Sequence, residues 1–291
     1  MTSISDSFQI LIDRIQPLQS EIDAADRHLT EIKSRLEKAF TVKSFLVVGS
    51  ASRNTFIHGY SDVDLFAVVA RNDLRWGGNY VSSETVLNNF RKELEGRFWN
   101  SNVYRDIHAI VVAFTDSQVD VVPAFFAGPN PNGWPLYSIP DGARGWMTTS
   151  PGYHNAYLKQ KNEESRGKLR CTAQLLKFWR ACRSPSVPLS SFHIEMVLAH
   201  ERLCVGARSY ATCVTEIFQN LASRECRGIH DPLGVSGIVP AVKSESQRLN
   251  ALTSIRYSRE HAKAAYTADY HGNLHEARRQ WDIVFNNQFP W

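Results

Sequence analysis

The 291-residue chain reads as a mixed α/β half followed by an all-helical half, with the change near residue 150. Three observations predict this. An amphipathic stripe fills the N-terminal segment as far as Phe40. Short β-branched runs separated by turn residues dominate from there to the region of residue 150. Beyond Pro151 the apolar residues recur every three to four positions. The predicted division is 1–150 for a sheet-containing core with an N-terminal spine helix and 151–291 for a helical lobe.

The stripe comprises Phe8, Leu11, Ile12, Ile15, Leu18, Ile22, Ala25, Leu29, Ile32, Leu36 and Phe40. It predicts one long helix, kinked at Pro17, which lacks an amide proton. Ser44–Val48 reads as a strand ending in a Gly49-Ser50 turn, and Val63–Val69 as a second strand. Val81–Phe98 has helical spacing, and Ile107–Phe114 and Val119–Val122 are further strands. Pro123–Pro151 holds six of the twelve prolines and reads as turn-rich, with a short strand at Trp134–Ile139. Helices are predicted at Leu169–Cys182, Ser191–Leu203, Tyr210–Ala222, Val239–Ala265 and Leu274–Phe285.

Composition excludes several classes. At 43% hydrophobic and 21% charged residues, a wholly disordered chain is ruled out. No apolar run approaches the ~18 residues of a membrane span, and the first residues lack a secretory leader pattern. The five cysteines (Cys171, Cys182, Cys204, Cys213, Cys226) are odd in number and include no C-x-x-C pair. They are expected to be reduced thiols of a cytoplasmic protein. The net charge of +4 favours an anionic ligand without demanding a nucleic-acid polymer.

The chemistry concentrates in 45–66, FLVVGSASRNTFIHGYSDVDLF. A strand ends in Gly49-Ser50; Asp62 and Asp64 follow on the next strand after an eleven-residue gap; Asp120 stands alone between Val119 and Val121 on a later strand. Side chains alternate faces along a strand, so Asp62 and Asp64 point the same way and Val63 points into the core. Two carboxylates on one face repel each other unless a cation joins them. A third acid completes an oxygen-rich set suited to Mg²⁺ or Mn²⁺. Two such ions would clamp the attacking and leaving oxygens of a phosphoryl transfer. Gly49 permits close backbone approach, and the turn offers N–H groups and the Ser50 hydroxyl to a triphosphate. Asp-x-Asp or Gly-Ser alone would mean little; their order and spacing together carry the reading.

This ordered set resembles the nucleotidyltransferases of the DNA polymerase β superfamily. The run from Gly49 to Asp64 is similar, within it, to the bacterial cGAS/DncV-like enzymes (CD-NTases). LLKFWR (175–180), LSSFHIE (189–195), Asp231-Pro232 and the final WDIVFNNQFP (281–290) resemble segments of the same group. The resemblance spans nearly the whole chain. It implies a polymerase β-like core joined to a helical lobe, with nucleotides bound in a cleft between them.

Carried over residue by residue, the resemblance makes Asp62, Asp64 and Asp120 the holders of two Mg²⁺ or Mn²⁺ ions. Asp120 would also assist deprotonation of the acceptor hydroxyl. Gly49 and Ser50 would meet the donor triphosphate, Lys177 its outer phosphates and Ser191 the phosphates from the other lobe, while Phe192 would stack on the base. Composition alone would make Lys177 an exposed helix lysine and Phe192 a core residue. Arg53 would contact phosphate or cap a short helix. Implied substrates are nucleoside triphosphates, ATP and GTP, joined into a cyclic di- or trinucleotide second messenger with release of pyrophosphate. A purine dinucleotide is the first choice. The setting would be bacterial anti-phage (CBASS) signalling through a product-binding effector protein. A monomer is expected, with no membrane and no obligate nucleic acid.

Two other readings stand beside this one: transfer to another acceptor, such as an RNA end, a protein or a small molecule, and a catalytically silent nucleotide sensor. Gln174 replaces the basic residue that oligoadenylate synthases carry three positions before the phosphate lysine. No His/Cys zinc insertion is present in the sequence, which argues against DNA sensing and structural zinc. His271 and His275 are read as exposed helix residues, and Arg256, Arg259, Lys263, Arg278 and Arg279 as a solvated basic face. The ending Phe289-Pro-Trp291 lacks a terminal small residue, so C-terminal conjugation is not expected.

Overall fold

The computed structural model describes residues 3–60, 62–76 and 78–291. In chain order its elements are α1 (Ile4–Arg14), α2 (Gln19–Ala39), β1 (Val42–Val48), α3 (Gly49–Ser52), β2 (Asp62–Val69), a 3₁₀ turn (Arg71–Leu74), β3 (Arg75–Trp76), β4 (Asn79–Tyr80) and α4 (Ser83–Arg97). Then come β5 (Asn102–Arg105), β6 (Ile110–Ala113), β7 (Gln118–Pro129), β8 (Pro135–Pro140), β9 (Trp146–Thr149) and α5 (Pro151–Glu164). The last elements are α6 (Lys168–Ala181), α7 (Ser191–His200), α8 (Tyr210–Ser223), β10 (Ile229–His230), β11 (Ile238–Val239), α9 (Glu245–Tyr270) and α10 (Leu274–Val284). This is the mixed sheet with flanking helices, followed by helices, that the sequence predicts.

The chain divides into two compact units: Pro17–Ala156, and the residues up to Gln16 together with Tyr157–Trp291. In the first unit a seven-stranded sheet runs β1-β2-β7-β6-β5, with β8 on the far half of β7 and β9 on β8. Only β2 and β7 pair in parallel; the other neighbours in this sheet are antiparallel. Alternation sorts the side chains as predicted. Val63, Leu65, Ala67 and Val69 of β2, with Val119 and Val121 of β7, pack against Ala25, Leu29, Ile32 and Leu36 of α2 and Val86, Leu87, Phe90 and Leu94 of α4. Phe66, Val68, Val122 and Ala124 form a smaller cluster on the other face with Val48 and Ile139. That second face carries the even-numbered acids of β2 and β7.

Three details go beyond the expectations. The long N-terminal spine is present and is interrupted at Pro17, which removes an amide and disfavours helical geometry at Gln16, so that it runs as α1 and α2. The break is sealed locally: the Glu21 carboxylate accepts the Leu18 amide at 2.8 Å. α1 falls in the same compact unit as the C-terminal helices. Its fully buried Phe8 stands edge-on to Trp281 at 4.9 Å and to Phe289 at 5.0 Å. Burying such a ring is worth about 2–3 kcal/mol over leaving it in water, which ties α1 to α10. Finally, the proline-rich stretch is largely strand. Pro123 pairs with Ala67 on the β2 side, while on the other side it falls between the last residue paired to β6 and the first paired to β8, a gap that accommodates a residue without an N–H.

Smaller differences have local causes. Val239 lies in β11, and α9 starts only after Ser244, whose side chain accepts the Gln247 amide at 3.2 Å. α5 and β5 carry no clear apolar period and were not predicted. His271 closes α9 while His275 lies in α10, so the two do not share a helix. Arg278 is buried and Arg279 pairs with Glu276 at 2.7 Å, so the expected basic face is not uniformly solvated. All five cysteines are free thiols. No described helix is long and apolar enough to cross a membrane.

Candidate active site

The acids meet through the strand register. In the parallel β2–β7 pair, Asp64 lies directly beside Asp120, and Asp62 beside Gln118. Aligned residues share a face, so all three carboxylates project from one side of two adjacent strands. Asp62 is exposed at the start of β2, while Asp64 and Asp120 are half-buried. Burial and the charges of Asp64 and Asp62 push the Asp120 carboxyl up to about 7; a hydrogen bond from Gln118, 3.0 Å long, works in the opposite direction. Asp106, in the turn between β5 and β6, adds a weaker repulsion that the sequence reading missed. Among the described residues no group of three or more His, Cys, Asp or Glu stands close enough to hold a metal ion by itself. The array is open and all-oxygen. Hard divalent ions shared with phosphate oxygens fit such a donor set, and positive charge there would offset the repulsion that Asp120 experiences.

The turn before the acids is shaped by the same contact. Val48 opposes Asp64 in the antiparallel β1–β2 pair, and Gly49 follows with φ +64°. A Cβ on Gly49 would fall 1.7 Å from Asp64 Oδ2. Glycine is required twice, for the left-handed backbone and for the carboxylate beside it. Ser50 Oγ donates to the Asp62 carbonyl at 3.4 Å. The turn is braced from α5: Arg53 donates to Asn155 Oδ1 at 3.3 Å, Asn155 donates to Ser52 Oγ at 3.0 Å, and Ser52 donates to the Gly49 carbonyl at 3.0 Å. Gly49→Ala is expected to cost about 1–2 kcal/mol from the backbone alone and to displace Asp64. Thermal melting and product formation should both fall; an alanine variant matching wild type in both would contradict this placement.

Lys177, Ser191 and Phe192 lie in the other unit. Lys177 is not an exposed helix lysine. It is 7% exposed, and its Nζ lies 2.9 Å from Oε1 of Glu195, itself 1% exposed. Ser191 opens α7, and its Oγ accepts a hydrogen bond of 2.6 Å from Arg180. Phe192, in the same first turn, is half-buried. The start of α7 is anchored from behind. The Ser190 amide donates to the Ala241 carbonyl at 2.7 Å, and His193 Nδ1 bonds the Val239 carbonyl at 3.1 Å. Burial holds His193 neutral, with its pKa near 4. The Asp231-Pro232 motif closes the preceding hairpin: the Asp231 carboxylate accepts the amides of Leu233, Val235 and Ser236 at 2.8–3.1 Å. Gln174 is buried against Gln16. Sequence reasoning missed the partners Glu195 and Arg180, although both close segments that it singled out. A shallow cavity of about 360 Å³ beside Arg71 and Phe126 lies at the other end of β2 and contains none of these acids.

Comparison with known proteins identifies the fold and the family. CdnC of Escherichia coli MS115-1, solved with ATP, has the same fold at a TM-score of 0.74, covering 98% of each chain at 18% identity. Vibrio cholerae DncV, a cyclic AMP-GMP synthase solved with the linear intermediate pppA(3′,5′)pG, matches at a TM-score of 0.64. That match covers 85% of this chain and 70% of DncV at 13% identity. The CBASS oligonucleotide cyclase CdnC of Escherichia coli strain KTE188 is 27% identical over 193 residues, 60% of this chain. The match spans 56% of that relative's own length. The fold is that of the CD-NTases. Residues 1–162 match the Second Messenger Oligonucleotide or Dinucleotide Synthetase domain, and the chain belongs to that family.

Proposed function

We propose that the protein joins ribonucleoside triphosphates into a cyclic di- or trinucleotide second messenger, with release of pyrophosphate, in CBASS signalling. The observation that carries this reading is the register that sets Asp64 beside Asp120, with Asp62 on the same face and the Gly49-Ser50 turn against Asp64. Asp62, Asp64 and Asp120 would hold two Mg²⁺ or Mn²⁺ ions. Such ions, when bound, neutralise charge on the attacking and leaving oxygens of a phosphoryl transfer.

The chain's own residues would do the rest. Gly49 and Ser50 present the donor triphosphate, and Asp120 assists removal of the proton from the acceptor hydroxyl. That oxygen forms a bond to the α-phosphorus as the bond to the β-phosphate oxygen breaks. Lys177 and Ser191 would bind outer phosphates and Phe192 would stack on a base. Positioning and charge neutralisation supply most of the rate in such transfers. A linear intermediate, like the one solved with DncV, would rebind and close by a second transfer. ATP and GTP are the proposed nucleotides, the product-binding effector is the proposed partner, and the cytoplasm is the proposed compartment.

The test incubates the purified protein with all four labelled ribonucleoside triphosphates and Mg²⁺ or Mn²⁺, followed by phosphatase and mass spectrometry. A phosphatase-resistant product without free ends is expected, and its mass reports ring size and bases. Label on protein or added RNA instead would favour transfer to another acceptor. Nucleotide binding without pyrophosphate release would favour the sensor.

A further inference from the structure

Glu195 is the one acid of α7, and its neighbours Ile194, Met196, Val197 and Leu198 are all buried apolar residues. Its partner Lys177 lies on a face of α6 with Ala173 and Gln174, also buried, and Leu176 and Trp179 are buried elsewhere around the same helix. Removing two charges from water is costly, and an apolar pair of similar volume would join two helices as well or better. A tether between α6 and α7 therefore does not account for the charges. The same two helices are also linked by Arg180 and Ser191, one turn away from the ion pair on each helix. Both residues of the helical unit that the family resemblance assigns to phosphate, Lys177 and Ser191, are thus held by a partner to which that resemblance gives no role.

We infer that Glu195 is a positioning residue for the polyphosphate-binding lysine: its carboxylate partners the buried Lys177 ammonium and fixes its direction. The inference rests on the function proposed above and deepens it. A buried ammonium is costly without a counter-charge, and the Glu195 carboxylate stands 2.9 Å from it. An ammonium has three N–H directions, so bonding Glu195 and donating to a phosphate oxygen are compatible. A lysine on a solvated surface would hold its own charge but would lose rotamer freedom on each binding event. The ligand recognised is a nucleoside triphosphate through its outer phosphates. A nucleoside monophosphate has none and should be indifferent to Glu195.

The experiment measures binding of an ATP analogue with a methylene bridge between the α- and β-phosphorus, and of AMP, in the presence of Mg²⁺. Glu195→Gln should weaken the analogue by about 10- to 100-fold, the range of one charge-assisted hydrogen bond, and leave AMP unchanged. Glu195→Asp, which keeps the charge, should fall between the two. In a Lys177→Ala background, Glu195→Gln should weaken the analogue no further. Unchanged analogue binding in a folded Glu195→Gln protein overturns the inference. So does equal weakening of the analogue and AMP, or equal weakening with and without Lys177, since either marks a simple tether. If Glu195→Gln does not fold, the Glu195→Asp cycle with Lys177→Ala decides by the same criteria. A wild-type protein that binds no analogue defeats the functional reading and the inference with it; the other adverse results defeat the inference alone.

Discussion

Replacing Asp64 by Asn is expected to leave a folded protein whose product formation falls at least about 10³-fold. Asn keeps the volume and the position beside Gly49 but removes the charge that faces Asp120 across the β2–β7 ladder. The fold should tolerate the change, because the apolar residues that seat β2, Val63 and Leu65, project to the opposite face. Asp62→Asn should behave alike, and the double variant should be silent. The check is the labelled-nucleotide assay, with a melting curve to show that each variant is folded. A folded Asp62→Asn/Asp64→Asn protein that still made the phosphatase-resistant product would sink the proposed chemistry.

The half of the candidate site that lies on strands was legible for a simple reason. A strand shows its two faces as alternate letters, so Asp62-Val63-Asp64 and Val119-Asp120-Val121 declare which side is core. The register between β2 and β7 was not legible, since it depends on a parallel crossover through α4, β5 and β6. The helical half was less readable still. Lys177 and Glu195 are eighteen positions apart in the sequence, and nothing in either segment says that they pair. Burial of a lysine runs against composition-based expectation, so only the packing of α6 on α7 reveals it. The spine stripe was correctly apolar, yet its periodicity continued through Pro17 and concealed the break that divides α1 from α2. Periodicity reports which face is buried, not what it is buried against.

Asp120→Asn should abolish the proposed product formation and yet stabilise the protein in the absence of divalent ions. With burial and two neighbouring carboxylates raising its pKa from 3.8 to about 7, Asp120 binds its proton more tightly folded than unfolded. Below about pH 4 both states are protonated and nothing is lost. Between about 4 and 7 the folded state holds the extra proton, so stability falls as pH rises. Above 7 the full cost is present, about 4 kcal/mol before relaxation and solvent reduce it. Asparagine carries no charge and escapes that cost. Melting in a chelator should therefore show little difference between the variant and wild type at or below about pH 4. At pH 8 the variant should gain several degrees, on the scale of about 2–4 °C per kcal/mol. Mg²⁺ or Mn²⁺ should close the gap by stabilising wild type alone, because an ion that binds the folded carboxylates adds its binding energy to the fold. If Asp120→Asn melted lower than wild type at pH 8 in chelator, the repulsion among these acids would be too weak to hold a place for a cation.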